Sequence, residues 1–309
     1  MTIKLGLGLP QMKQYDIGRD VPAVARAAEE IGYDSLWVFE RILFPTPATQ
    51  GLYGIEGLPW PDAYRSVSDP LMTLALAAAA TERATLGTSV LVAPLHVPFQ
   101  LARSLATLDA AAGGRVAAGL GTGWSKDEYA ASSIVPFDRR GRALDELIDV
   151  CRAVWGPDPV AYEGDFTRIA PAEVGPKPAR PIPVYLPANS PRAARRLVDR
   201  GDGWMPVAMG ADALATSWAR LRELADERGR DRPIAVSLRA NARYSPKRDE
   251  RADRAPFHGS VEQIVEDLTG YAQEGVDEIF IELQGTTRDA SELTDVAAAV
   301  YAKAREAGV

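Results

Sequence analysis

The chain has 309 residues, 46% hydrophobic and 25% charged, an ordinary balance for a soluble globular protein and one that excludes disorder, collagen and coiled coil. One cysteine, Cys151, and two histidines, His96 and His258, exclude an internal disulfide and a cysteine-zinc cluster and leave little for a histidine metal site or relay. A net charge of −7 speaks against general affinity for nucleic acid or anionic membranes.

Strand and helix periods alternate from end to end. Ile3–Leu9 is a short apolar run suited to a strand, and Val21, Val24, Ala25, Ala28 and Ile31 follow at helical spacing. Leu36–Phe39 is a strand, Pro70–Thr81 a helix capped by Ser68 or Asp69, and Ala84–Val92 a strand. Pro98–Ala111 reads as a helix, Val116–Leu120 as a strand and Arg139–Trp155 as an amphipathic helix with Cys151 on its apolar face. Four more pairs follow: Pro183–Leu186 with Pro191–Asp199, Trp204–Val207 with Ala211–Arg228, Ile234–Leu238 with Val261–Gln273, and Glu278–Leu283 with Ser291–Ala307.

The joints between helix and strand repeat as well. Glu30-Ile-Gly-Tyr-Asp34, Asp199-Arg-Gly-Asp-Gly203 and Gln273-Glu-Gly-Val-Asp277 each place a glycine where a helix end takes the left-handed conformation, then an acidic residue before the strand. Ala112-Gly-Gly-Arg115 does a related job before the fourth strand. Eight strand–helix pairs with such joints predict a (β/α)8 TIM barrel of the α/β class, one domain over residues 1–309, with a doubly wound open sheet as the alternative. The opposite, strand-to-helix loops are long: Arg41–Ser68, Gly156–Pro181 with a hairpin over Val160–Arg168, and Asn241–His258. In a barrel those insertions mark the end that carries the active site.

Several residues fall at that end. Gly119-Leu-Gly-Thr-Gly-Trp124 offers close backbone approach around Thr122 and Gly123, or simply a tight barrel corner. Leu186-Pro-Ala-Asn-Ser-Pro-Arg192 places Ala188, Asn189 and Ser190 at a helix start suited to a phosphate, with Arg192, Arg195 and Arg196 adding charge. Glu40 and Arg41 form an adjacent pair that would orient a polar ring or lock the loop as an ion pair. Trp60, Trp124, Tyr64 and Phe44 suit a flat heteroaromatic ligand, whereas Trp155, Trp204 and Trp218 read as structural. The residues alone thus describe a barrel for an anionic aromatic cofactor, with the reaction left open.

The segments Gly32-Tyr-Asp-Ser-Leu-Trp-Val-Phe-Glu-Arg41, Leu86-Gly-Thr-Ser-Val-Leu91, Gly113-Gly-Arg115, Gly119-Leu-Gly-Thr-Gly-Trp-Ser-Lys-Asp-Glu128 and Gly201-Asp-Gly-Trp204 together resemble the luciferase-like monooxygenase superfamily, in particular its coenzyme F420-dependent oxidoreductases. The resemblance implies a cis peptide at Ser89-Val90 backing the cofactor ring, a phosphate site at Thr122, Gly123, Ala188, Asn189 and Ser190, and a ring contact from Glu40. With the cofactor so placed, Arg41, Trp60, Trp124 and His96 at the same mouth are expected on the substrate side. The implied reaction is hydride transfer between the deazaflavin C5 and an activated C=C, C=N or carbinol carbon of a small substrate. An FMN-dependent monooxygenase fed by a separate reductase is the alternative reading, and a cofactor-binding barrel without catalysis a third. The resemblance also implies a homodimer. The N-terminus does not read as a signal peptide and the most apolar stretch, Leu71 to Ala80, is too short to span a bilayer, so the expected location is cytoplasmic.

Overall fold

The computed structural model describes residues 3–207 and 209–309. Eight parallel strands close into a barrel: β1 (Lys4–Gly8), β2 (Ser35–Val38), β3 (Thr85–Thr88, resumed at Leu91–Val92), β4 (Val116–Gly121), β5 (Val184–Leu186), β6 (Gly203–Trp204), β7 (Ala235–Ala240) and β8 (Glu278–Ile281). Each pairs with its neighbour in sequence, and β8 returns to β1 with Ile279 opposite Leu5.

Around them lie α1 (Ile17–Ile31), α2 (Pro70–Ala78), α3 (Pro98–Ala111), α4 (Lys126–Ser132), α5 (Arg140–Trp155), α6 (Pro191–Arg200), α7 (Ala211–Glu227), α8 (Val261–Ala272) and α9 (Ala290–Glu306). Helix α4 falls in a stretch without a predicted element. It is only two turns long, started by Ser125, whose hydroxyl accepts the Glu128 N–H at 3.2 Å. The predicted hairpin is present, as Val160–Glu163 against Arg168–Ala172. Among the described residues no helix is long and apolar enough to cross a membrane.

Alternation along the strands divides the side chains into two sets. Leu36, Val38, Leu86, Ala118, Leu120, Leu186, Leu238, Ile279 and Ile281 join the helices in the main core. The other set fills the barrel: Trp37, Ala117, Met205 and Phe280 cluster together, with Val90 and Tyr185 at the margin. Trp37 stacks on Phe280 at 4.6 Å and meets Tyr185 edge-on at 6.1 Å. A Cβ at Gly87 would lie 2.3 Å from the Trp37 ring, so the glycine makes room for the indole. Nearer the strands' N-terminal ends, buried Glu278 accepts from Ser35, from Ser237 at 2.9 Å and from the Trp37 indole at 3.2 Å, and burial pushes its carboxyl above the usual range.

The repeated joints have a common purpose. Asp34 accepts the Leu5 N–H at 2.9 Å, Asp202 that of Val184 at 2.9 Å and Asp277 that of Val236 at 2.7 Å. In each case the acidic side chain before an even-numbered strand takes the backbone donor at the start of the preceding strand. Before β4 the position belongs to Arg115, which instead donates to the carbonyls of Ala84 and Thr81 at 2.8 and 2.9 Å, while Asp109 accepts the Val116 N–H. Gly32 and Gly275 are left-handed as expected, at φ +118° and +77°. Gly201 is not: its φ is −89°, and its lack of a side chain is explained by the Leu197 carbonyl, 2.9 Å from where a Cβ would sit.

Candidate active site

The C-terminal ends of the strands enclose a cavity of about 330 Å3, within the range of small-molecule sites. Phe39, Glu40 and Arg41 enter it from β2, Ser89 and Val90 from the break in β3, and Gly121 to Trp124 from β4. Pro187, Ala188 and Asn189 follow β5, Trp204 to Val207 belong to β6 and its exit, and Arg239 and Asn241 come from β7. Tyr53 and Tyr64 reach in from the long loop after β2. The cavity therefore opens at the end of the barrel the sequence indicates. Of the three long insertions, Arg41–Ser68 contributes Arg41, Tyr53 and Tyr64, Asn241–His258 contributes Asn241, and Gly156–Pro181 contributes none of the described lining residues.

Strand β3 breaks at Ser89–Val90, whose peptide is cis. The predicted strand Ala84–Val92 is thus two short segments. This break accounts for the glycines of β4. A Cβ on Gly119 would lie 1.8 Å from the Thr88 carbonyl oxygen, and one on Gly121 2.6 Å from the Val90 side chain. Thr88 fastens the junction, its hydroxyl donating to the Gly119 carbonyl at 2.8 Å and accepting the Gly119 N–H at 2.9 Å. Gly123 is left-handed at φ +66° and carries the chain from the cavity wall into the turn before α4.

Glu40 and Arg41 do not pair with each other; each is bound elsewhere. Glu40, 2% exposed, accepts the Val92 N–H at 2.6 Å and bonds His96 Nε2 at 2.8 Å. Burial favours the neutral imidazole, but the Glu40 carboxylate outweighs it and holds the His96 pKa above its ordinary value. His96 itself lies outside the cavity lining, and its contact is with Glu40. Arg41 bonds the buried carboxylate of Glu128 at 2.5 Å and lies over the Trp124 ring at 4.8 Å. Burial raises the Glu128 pKa, with Arg41 and the Ile42 N–H opposing it.

Trp124 is clamped by Tyr53 at 5.6 Å and Trp60 at 5.0 Å, while its buried Nε1 has no hydrogen-bond partner among the described residues. Trp60 stands behind it, outside the cavity lining, donating to the Gln50 carbonyl at 3.1 Å. Ser190 is the N-cap of α6 and accepts the Ala193 N–H at 3.2 Å; Asn189, beside it, lines the cavity. Arg196 is buried against Asp145 at 2.5 Å and the Gly141 carbonyl and is not among the described lining residues. Trp204, read from sequence as structural, stacks on Trp218 at 6.0 Å and also closes one side of the cavity.

Sequence reasoning missed Arg239. Its guanidinium donates to the Ser89 carbonyl at 2.5 Å and to Asn241 Oδ1 at 2.9 Å, pairs with Glu282 at 3.3 Å and lies 5.2 Å from the Phe39 ring. The available signal was phase: Ser237, Arg239 and Asn241 alternate with apolar Val236, Leu238 and Ala240, which marks a polar inner face. The predicted strand ended one residue short of Arg239.

A cofactor with a flat ring and a phosphate fits these residues. The side-chain-free wall at Gly121 and Gly123 and the N-terminus of α6 beside Asn189 supply a close approach and an anion site at one cavity.

Among relatives with a named activity, the F420-dependent glucose-6-phosphate dehydrogenase of Amycolatopsis mediterranei is 31% identical over 190 residues, which are 60% of this chain and 53% of that protein. The fold matches the monooxygenase RslO1 from Streptomyces bottropensis with a TM-score of 0.78, at 20% identity over 99% of this chain and 100% of that one. It also matches an F420-dependent secondary alcohol dehydrogenase, solved with an F420-acetone adduct, with a TM-score of 0.77, at 18% identity over 97% and 99% of the two chains. The family model for luciferase-like monooxygenases matches residues 8–303, and the chain belongs to that family.

Proposed function

We propose that this protein is an F420-dependent oxidoreductase that transfers a hydride between the deazaflavin and a small organic substrate. The observation that carries this reading is the make-up of the cavity. Its walls are largely aromatic and apolar, and the carboxylate in its lining, Glu40, is bound to Val92 and His96. Neither histidine is among the described lining residues. Such walls orient and dry a reaction whose redox chemistry is brought in by a ligand. The F420-dependent relative and structural neighbour support the choice of ligand.

Bound there, the deazaflavin would supply a hydride donor or acceptor at C5. Thr122, Gly123, Ala188, Asn189 and the α6 N-terminus at Ser190 would hold its phosphate. Ser89 and Val90 would back the ring, kept in place by Arg239. Glu40 acts indirectly, by holding the Val92 end of the break in β3. Arg41 and Trp124 would face the substrate, with Trp60 and Tyr53 keeping the indole upright and water out.

Equilibrium titration with F420 and with FMN, followed by fluorescence, tests the reading. Saturable F420 binding with much weaker FMN binding is the expected result. Tight FMN binding without affinity for F420 would overturn it in favour of a flavin monooxygenase.

A further inference from the structure

We propose that Tyr64, together with Arg41 and Arg239, forms an oxyanion-binding subsite that takes the carbonyl oxygen of a substrate and delivers its proton. The proton-delivery half rests on the hydride-transfer reading above. The three side chains line one cavity. Two of them flank Phe39, the Tyr64 ring centroid 5.5 Å and the Arg239 guanidinium 5.2 Å from that ring, while Arg41 enters the same cavity two residues further on, held between Glu128 and the Trp124 ring. Tyr64 is carried by the short helical turn Asp62–Arg65, packed against the core, so the phenol has a fixed station at the cavity wall.

The electrostatics suit a proton donor. Burial raises the Tyr64 pKa and Tyr53 adds to this, while the positive charges of Arg239 and Arg41 act the other way. The phenol therefore stays protonated in the resting site, and the phenolate left after donation faces the positive ends of two ion pairs, Arg239–Glu282 and Arg41–Glu128. Both cations are anchored: Arg239 pairs with Glu282 at 3.3 Å and Arg41 with Glu128 at 2.5 Å, which fixes their positions at the cavity wall. Among the described lining residues no free carboxylate or imidazole competes for this role.

With the reduced deazaflavin bound, its C5–H bond would break as a C–H bond forms at the carbonyl carbon, and the C=O π pair would move to oxygen. The Tyr64 O–H bond breaks as the new O–H bond forms. The substrate is reduced, the deazaflavin is oxidised, and the Tyr64 phenolate takes a proton back from water. Alcohol oxidation runs the same transfers in reverse.

A binding experiment tests the subsite apart from turnover. The protein is titrated with 4-nitrophenol, whose colour reports its ionisation, with and without F420 present. Wild type should bind the probe preferentially as the phenolate, and Tyr64→Phe should weaken that binding about tenfold, the usual scale for a hydrogen bond to a charged oxygen. Arg41→Gln, which keeps the phenol, should shift the bound probe back toward its neutral form. No probe binding by wild type, or equal binding by Tyr64→Phe, would overturn the proposal. Absence of F420 binding in the same series would remove the cofactor reading while leaving the anion subsite intact.

Discussion

Arg239 Nη1 donates to the carbonyl oxygen of Ser89 at 2.5 Å, linking β7 to the break in β3 across the barrel mouth. The polar chain continues through Glu282 to Gln284 at 2.8 Å and on to the Gln11 backbone at 2.8 Å. The Gln11 side chain then holds the carbonyls of Phe39 and Ser68 at 3.0 and 3.2 Å. The cavity wall is therefore part of a network reaching the strand ends on both sides of it.

Removing the cation should expose that dependence. Arg239→Met leaves Glu282 buried without its partner and should cost about 2–4 kcal/mol in denaturant unfolding. Adding Glu282→Gln should recover part of the loss, because the neutral amide no longer needs the guanidinium. Additive costs of the two changes would contradict the coupling.

The two histidines should titrate on opposite sides of 6.5. Burial favours neutral His96, but its bond to Glu40 prevails and raises its pKa; burial, with Arg243 and Arg251 nearby, lowers that of His258. For His96 the folded value lies above the unfolded one. Its contribution to stability is thus complete below pH 6.5 and disappears as pH rises through the folded value. Proton NMR of the two ring signals checks the order, and His96→Gln should flatten the stability profile in that window. Both rings titrating below 6.5 would contradict the Glu40 assignment.

Two glycine substitutions should have opposite signs. Gly119→Ala brings a methyl to 1.8 Å from the Thr88 carbonyl and should destabilise by several kcal/mol or prevent folding. Gly270→Ala lies in α8 with open space around it and should stabilise by about 0.5–1 kcal/mol. Thermal melts of the two variants distinguish backbone accommodation of the β3 break from a loose glycine-rich corner.

Ser190→Asp separates capping from anion binding. Aspartate caps a helix about as well as serine, so the melting temperature should hold within a degree or two. A carboxylate beside Asn189 should nonetheless weaken F420 binding about tenfold in a fluorescence titration. Unchanged affinity would remove the start of α6 from the site.

What was legible in one dimension is what repeats or acts locally. The alternating periods predicted the eight pairs and the glycine-acid joints their closure into a barrel, and the structure explains the acidic half of those joints through the strand donors held by Asp34, Asp202 and Asp277. Gly201 shows the limit of that inference, since its glycine answers to a carbonyl neighbour and not to a left-handed turn. Partners distant in sequence were not legible. Arg41 finds Glu128 and Arg239 finds Ser89, 87 and 150 residues away, and no local pattern announces either bond. His96 and Trp60, expected on the substrate side, each stand one side chain behind the cavity lining, because Glu40 and Trp124 occupy the front.

The most direct test is the crystal structure of the complex with F420. The account expects the deazaflavin ring against Ser89 and Val90, with its phosphate within hydrogen-bond reach of Thr122 and Asn189 at the start of α6. A ring bound away from the β3 break, or a phosphate held by other residues, would contradict it.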